Sequence, residues 1–95
     1  MYYCFQPAKE TKLDVDDPRL VDYCNLAIDK YNSKRNTCYK YVKTISASEE
    51  EHARGSVYRI VFQAKIDDEQ PVTIKASLYD GWNMISVVEV EDYPA

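Results

Sequence analysis

One amphipathic helix, followed by nothing but strand-like segments, leaves this chain few ways to build a core. Asp17 and Pro18 open the helix, the first as a side-chain cap and the second at a position where its missing N–H does no harm. Apolar residues then recur at Leu20, Val21, Cys24, Ala27, Ile28 and Tyr31, the spacing of one buried helical face. Arg19, Asp22, Asp29 and Lys30 mark its wet side. The pattern predicts a helix over residues 17–34, fading where Asn32 to Asn36 favour a turn.

After the helix the period changes from that of a helix to that of a sheet. Thr37 to Ala47 is dense in β-branched and aromatic residues through Tyr39, Tyr41, Val42 and Ile45. Ser48 to Gly55 has no period and reads as the first long connection, its Glu49–Glu51 run a solvated tip. From Ser56 to Ile66 the residues Tyr58, Ile60, Phe62, Ala64 and Ile66 share one face, with Arg59, Gln63 and Lys65 on the other. Beyond the polar turn at Asp67 to Pro71, Val72, Ile74, Ala76 and Leu78 alternate with polar neighbours. Asp80-Gly81 is a hairpin signal, and a last strand follows through Ile85, Val87, Val88 and Val90. Consecutive strands on short loops pair antiparallel, and the single helix must cover one face of the sheet. The expected fold is therefore α+β, with one N-terminal helix on a curved four- to five-stranded antiparallel sheet. Residues 1–95 form one domain: an arm over 1–16, the helix over 17–34 and the sheet over 37–92. In the arm, Tyr2 to Phe5 suggests a short edge strand and Lys9 to Asp16 an extended polar segment.

Charge and cysteine usage narrow the function classes. The net charge is −4 and no basic stripe is present, which argues against nucleic acid as a partner. No apolar run is long enough to span a bilayer, so no membrane partner is expected. The N-terminus lacks the basic start and apolar core of a signal peptide. The expected location is the cytoplasm, or outside the cell if a leader has been removed. Cys4, Cys24 and Cys38 are an odd number at wide spacing; no zinc or redox motif is present, and at least one thiol stays free. No cofactor and no metal are expected.

Several segments, taken in order, resemble the plant cystatins. Leu26-Ala27-Ile28-Asp29-Lys30-Tyr31-Asn32 is similar to their helix signature, and Asp17-Pro18-Arg19-Leu20-Val21 to its lead-in. Gly55-Ser56-Val57-Tyr58-Arg59-Ile60 resembles the segment after their first inhibitory loop. Ala76-Ser77-Leu78-Tyr79-Asp80-Gly81-Trp82 resembles the approach to their second. The resemblance covers residues 13–92. It implies a non-catalytic, reversible inhibitor of papain-like cysteine proteases, whose N-terminal trunk and two hairpin loops form a wedge that blocks the target cleft. The implied protease-binding residues are Glu51, His52, Ala53, Arg54, Gly55, Gly81 and Trp82. Of the family's Gln-x-Val-x-Gly loop this chain keeps only Gly55; Glu51 stands for the glutamine and Ala53 for the valine. The second loop keeps Trp82 with Gly81 in place of a proline, and the arm has no glycine.

Each residue also has a plainer reading. Trp82 is either a binding anchor or a ring folded over the sheet end. His52 is the only histidine and reads as a solvated loop residue rather than a general base or metal ligand, because no rigid acid or nucleophile is evident beside it. Gly55 serves the backbone where the loop enters the strand. The alternative to protease inhibition is a diverged, non-catalytic cystatin-fold module that binds another protein, including a different protease class. An enzyme is not expected. Edge strands that exchange between chains leave a monomer and a domain-swapped dimer both open.

Overall fold

The computed structural model describes residues 9–93. It contains one helix and five strands in the order β1 (Glu10–Lys12), α1 (Pro18–Arg35), β2 (Lys40–His52), β3 (Gly55–Lys65), β4 (Val72–Gly81) and β5 (Ile85–Asp92). The strands form one antiparallel sheet in chain order, β1-β2-β3-β4-β5. The α+β class and the single helix on the sheet are as the sequence predicts, and the strand count is five.

The helix begins and ends where local chemistry requires. The Asp17 carboxylate accepts the Arg19 N–H at 3.0 Å, and Pro18 occupies the first turn. At the far end Asn36 adopts the left-handed conformation (φ 56°, ψ 52°) and returns its N–H to the Asn32 carbonyl. The Asn32 side chain then locks the chain reversal, accepting from the Tyr39 N–H at 2.9 Å and from the Thr37 hydroxyl at 2.9 Å. It also donates to the Tyr39 carbonyl at 3.1 Å. One expectation about the helical face is corrected. Val21 is exposed and Tyr23 is buried, so the inward stripe is Leu20, Tyr23, Cys24, Ala27, Ile28 and Tyr31.

That stripe packs on Ala47, Tyr58, Ile60, Phe62, Ala64, Ile74, Ala76, Leu78 and Val90, which alternate along their strands as residues lining one face must. Leu20, Ile60, Phe62, Ile74 and Leu78 are almost wholly withdrawn from water, so the helix–sheet interface is filled. In β2 the alternation is broken twice. Register shifts against β3 leave Val42 and Ile45 as extra residues and bring Tyr41, Thr44 and Ala47 inward at every third position. A third shift, against β4, makes Val88 the extra residue of β5, and its side chain is 61% exposed. Two thiols differ sharply: Cys38 is exposed, whereas burial pushes the Cys24 thiol up to about 12.

The arm and the connections depart from expectation. The edge strand suggested at Tyr2 to Phe5 lies outside the described residues; the edge strand of the structure is Glu10–Lys12, within the segment read as extended. Ser48 to Gly55 is not a long loop. β2 runs through it to His52, which pairs with Gly55, so Ala53 and Arg54 alone make the turn. Glu49, Glu50 and Glu51 are therefore ladder residues opposite Tyr58, Val57 and Ser56. Asp80-Gly81 is not a turn either: both end β4, and the Gly81 N–H reaches the Met84 carbonyl at 2.9 Å to close a tip made of Trp82 and Asn83.

Candidate functional site: the paired hairpin tips

Antiparallel order places the β2–β3 tip and the β4–β5 tip side by side. Gly55 and Gly81, the two glycines of the chain, are direct cross-strand partners at the necks of the two hairpins. A β-carbon on Gly55 would stand 2.6 Å from the Asp80 carbonyl oxygen, 2.7 Å from the Gly81 Cα and 2.8 Å from the Tyr79 hydroxyl. A β-carbon on Gly81 would run into the Tyr79 ring. The glycine pair thus makes a slot free of side chains. The Tyr79 ring lies over it, and its hydroxyl donates to the Arg54 carbonyl at 3.0 Å. The first tip is pinned to the second strand pair through this one side chain.

Beyond the slot an open groove separates the tips, lined by Ala53, Arg54, Gly55, Asp80, Gly81 and Trp82. Trp82 is 93% exposed and does not fold back over the sheet. Met84 and Ile85 beside it are exposed at 62% and 48%, so the second tip presents an apolar surface to water. The first tip is polar, with exposed Glu51, His52 and Arg54 around a small exposed Ala53. The N-terminal arm enters at the same end: the Glu51 N–H donates to the Lys9 carbonyl at 3.2 Å.

Two polar networks hold these tips from below, one on each face. On the helix side, Tyr23 stacks on Tyr58 (centroids 4.5 Å apart, planes at 27°) and donates to Asp80 at 2.5 Å. Glu49 accepts from the Ser56 hydroxyl at 2.7 Å and the Tyr58 hydroxyl at 3.2 Å. Helix, β2, β3 and β4 are therefore tied together just behind the tips. Burial, reinforced by the bond to Asp80, raises the Tyr23 pKa, and burial raises that of Tyr58. On the outer face, Arg59 bridges Glu50 at 2.6 Å and Glu10 at 3.3 Å, which clips β1 across β2 to β3. The Arg59 hydrogen bond holds the Glu50 carboxyl below its ordinary value.

His52 belongs to this outer network, with its Nε2 3.1 Å from a Glu50 oxygen. The acids beside it are thus on a paired strand and not on a flexible loop, contrary to expectation. Glu50 is nevertheless shared with Arg59. Among the described residues no cluster of three or more His, Cys, Asp or Glu is disposed to hold a metal.

All seven residues implied by the resemblance lie at this one end. Glu51 to Gly55 form the end of β2, the first turn and the start of β3; Gly81 and Trp82 form the neck and tip of the second hairpin. Read from the sequence, the residues behind them, Tyr23, Glu49, Tyr58, Tyr79 and Asp80, have no positioning role. Tyr58 reads as a residue of the apolar sheet face, Glu49 as part of a solvated tip and Asp80 as half of a hairpin turn, whereas Glu49 and Asp80 accept hydrogen bonds on the helix side. Strand parity was the available signal for Glu49 and Asp80. Each stands two residues from a core position, Ala47 and Leu78, and so must face the helix side. Neither a family model nor a curated protein sequence matches this chain.

Proposed function

We propose that the protein is a reversible, non-catalytic inhibitor of papain-like cysteine proteases of the cystatin type, in which the two hairpin tips fill the target's cleft. The observation that carries this reading is the Gly55–Gly81 pairing, which sets Ala53-Arg54 and Trp82-Asn83 side by side with the entry of the N-terminal arm. Cleft occlusion needs a narrow edge already fixed in its bound shape, since ordering loops on contact subtracts from affinity. The tips meet that need: ladder pairing continues to His52–Gly55, and Tyr79 holds the Arg54 carbonyl. An exposed Trp82 beside exposed Met84 and Ile85 is the kind of anchor that dominates interface energies. A two-residue turn closed by paired strands also cannot be drawn out into the extended form that proteolysis requires, so the tip is suited to block a cleft without being cut. The helix signature fits as scaffold, because Tyr31 lies in the core and Asn32 locks the reversal into β2.

Inhibition of papain by the purified chain tests the proposal. Reversible inhibition at or below micromolar concentration is expected, weakened by about tenfold or more in Trp82→Ala, the loss of one interface anchor. Gly55→Glu, which forces the necks apart, is expected to abolish it. Absence of inhibition by folded protein at micromolar concentration, against papain and against further papain-like proteases, overturns the reading. A second reading, a module of the same fold that grips a different protein or protease class through the same tips, is favoured by the charged first tip. There Glu51 and Arg54 stand exposed where an apolar cleft would leave them unpaired. That reading survives a negative papain result.

A further inference from the structure

The arginines of this chain differ in one respect. Arg19 pairs with Asp17 at 2.9 Å, Arg35 with Asp92 at 3.0 Å, and Arg59 with Glu50 and Glu10 at 2.6 and 3.3 Å. Of the four arginines, all among the described residues, Arg54 alone has no carboxylate partner, although the chain carries an excess of acids and a net charge of −4. Two acids close behind the tips are engaged elsewhere. Asp80, which lines the same groove, faces the helix side and accepts from Tyr23; Glu50 is taken by Arg59 and His52. The backbone of Arg54 is nonetheless held in place, its carbonyl accepting from the Tyr79 hydroxyl at 3.0 Å beside the glycine slot. Across the groove stands Trp82. A fixed backbone, an unpaired guanidinium and an exposed indole on facing walls form a two-point contact of the residue types most enriched at interface centres.

We infer that Arg54 is the specificity-determining residue of the tips and that its partner is a carboxylate on the wall of the target's cleft. Resting on the inhibitor reading above, the inference narrows the target class to papain-like proteases that carry an Asp or Glu in the subsite facing the first hairpin. A planar guanidinium takes such a carboxylate through two parallel hydrogen bonds, and the low dielectric of an occluded cleft strengthens them. A cleft without that acid would have to bury the guanidinium unpaired, so the same residue that favours one target rejects another.

The test uses the full chain against a panel of papain-like proteases, some with and some without an acid in that subsite. Inhibition constants are measured for wild type, Arg54→Lys, Arg54→Ala and Arg54→Glu. Arg54 is exposed at a turn, so the variants are expected to fold, and circular dichroism confirms it. The inference expects wild type to favour the acid-bearing enzymes. Arg54→Ala should lose about tenfold or more against them, Arg54→Glu still more, and Arg54→Lys should fall between because it keeps the charge without the fork. Changing the protease acid to its amide should weaken wild type while leaving Arg54→Ala unaffected, the signature of a direct pair. Inhibition that is equal across the panel, or unchanged by Arg54→Glu, overturns the role of Arg54 and leaves cleft occlusion standing. If no enzyme of the panel is inhibited, cleft occlusion fails and the role of Arg54 fails with it.

Discussion

Gly55 and Gly81 face one another, yet they are glycines for different reasons, and the difference is measurable. The φ of Gly55, 159°, lies close to the fully extended range, so its constraint is proximity more than handedness. The atoms it would strike first are backbone: the Asp80 oxygen and the Gly81 Cα. Those atoms belong to a paired strand and cannot yield without parting the hairpins. The neighbours of Gly81 all belong to the ring of Tyr79, a side chain that can turn away. Gly55→Ala is therefore expected to destabilise by about 1–3 kcal/mol, the range for forced overpacking, and Gly81→Ala by less. Removing the ring in a Tyr79→Ala background should erase most of the Gly81→Ala effect and little of the Gly55→Ala effect. Urea unfolding of wild type, the three single mutants and the two doubles measures this, and equal effects in both backgrounds would refute the assignment. In the sequence Gly55 reads correctly as a backbone glycine at a strand entry. Asp80-Gly81 misleads, because its turn preference is local whereas the Tyr79 ring that sets its place is known only once the strands are paired.

The helix and the long hairpin stand at opposite ends of legibility. The ends of α1 are written in neighbouring residues: Asp17 caps, Pro18 starts and Asn36 turns left-handed to stop. Asn tolerates that conformation and alanine does not. Asn36→Ala is accordingly expected to lower stability by about 1 kcal/mol, while Asn36→Gly should hold or raise it, read as a shift of the thermal midpoint. The end of β2 was hidden because charged residues are poor strand formers when judged alone. Glu49, Glu50 and Glu51 become strand residues through partners far along the chain: Ser56 and Tyr58 for Glu49, Arg59 for Glu50. The bulges at Val42 and Ile45 shifted the inward parity of β2 as well, so its buried residues, Thr44 and Ala47, could not be picked out by simple alternation. Only the resemblance to a family pattern singles out the candidate site residues in the sequence. Their rigidity comes from the tyrosines and acids behind them, and no short-range pattern reports those.

At the scale of the whole molecule, stability has an acid shoulder and a basic one, set by different residues. Arg59 holds Glu50 below the ordinary carboxylate value, and Arg19 does the same for Asp17. With folded values depressed, the unfolded chain takes up protons first. The stabilisation is complete above the unfolded carboxylate values near about 4 and is lost as pH falls through the lower folded ones. The tyrosines act in the opposite sense. Burial raises Tyr23 and Tyr58, and raises Tyr31, which donates to Asp92 at 2.7 Å, to about 12. Their contribution is whole below the unfolded value of about 10 and disappears as pH climbs from there through the folded values. The buried Cys24 thiol acts in the same sense from a lower unfolded value of about 8.5, so the thermal midpoint is expected to be flat between about pH 5 and 8 and to fall on both sides. Glu50→Gln should soften only the acid shoulder and Tyr23→Phe only the basic one. Calorimetry across pH tests both, and an acid shoulder as steep in Glu50→Gln as in wild type would show that the clip does not act. The acid shoulder has a local consequence at the proposed binding end. Glu50 holds Arg59, which also bridges Glu10 on β1, so protonation of Glu50 should loosen this clip and release the arm from the first tip before the helix and sheet separate. Hydrogen exchange at low pH should accordingly rise at Thr11 and at Leu13, whose N–H donates to the Ala47 carbonyl, while Ile60, Phe62 and Leu78 stay protected.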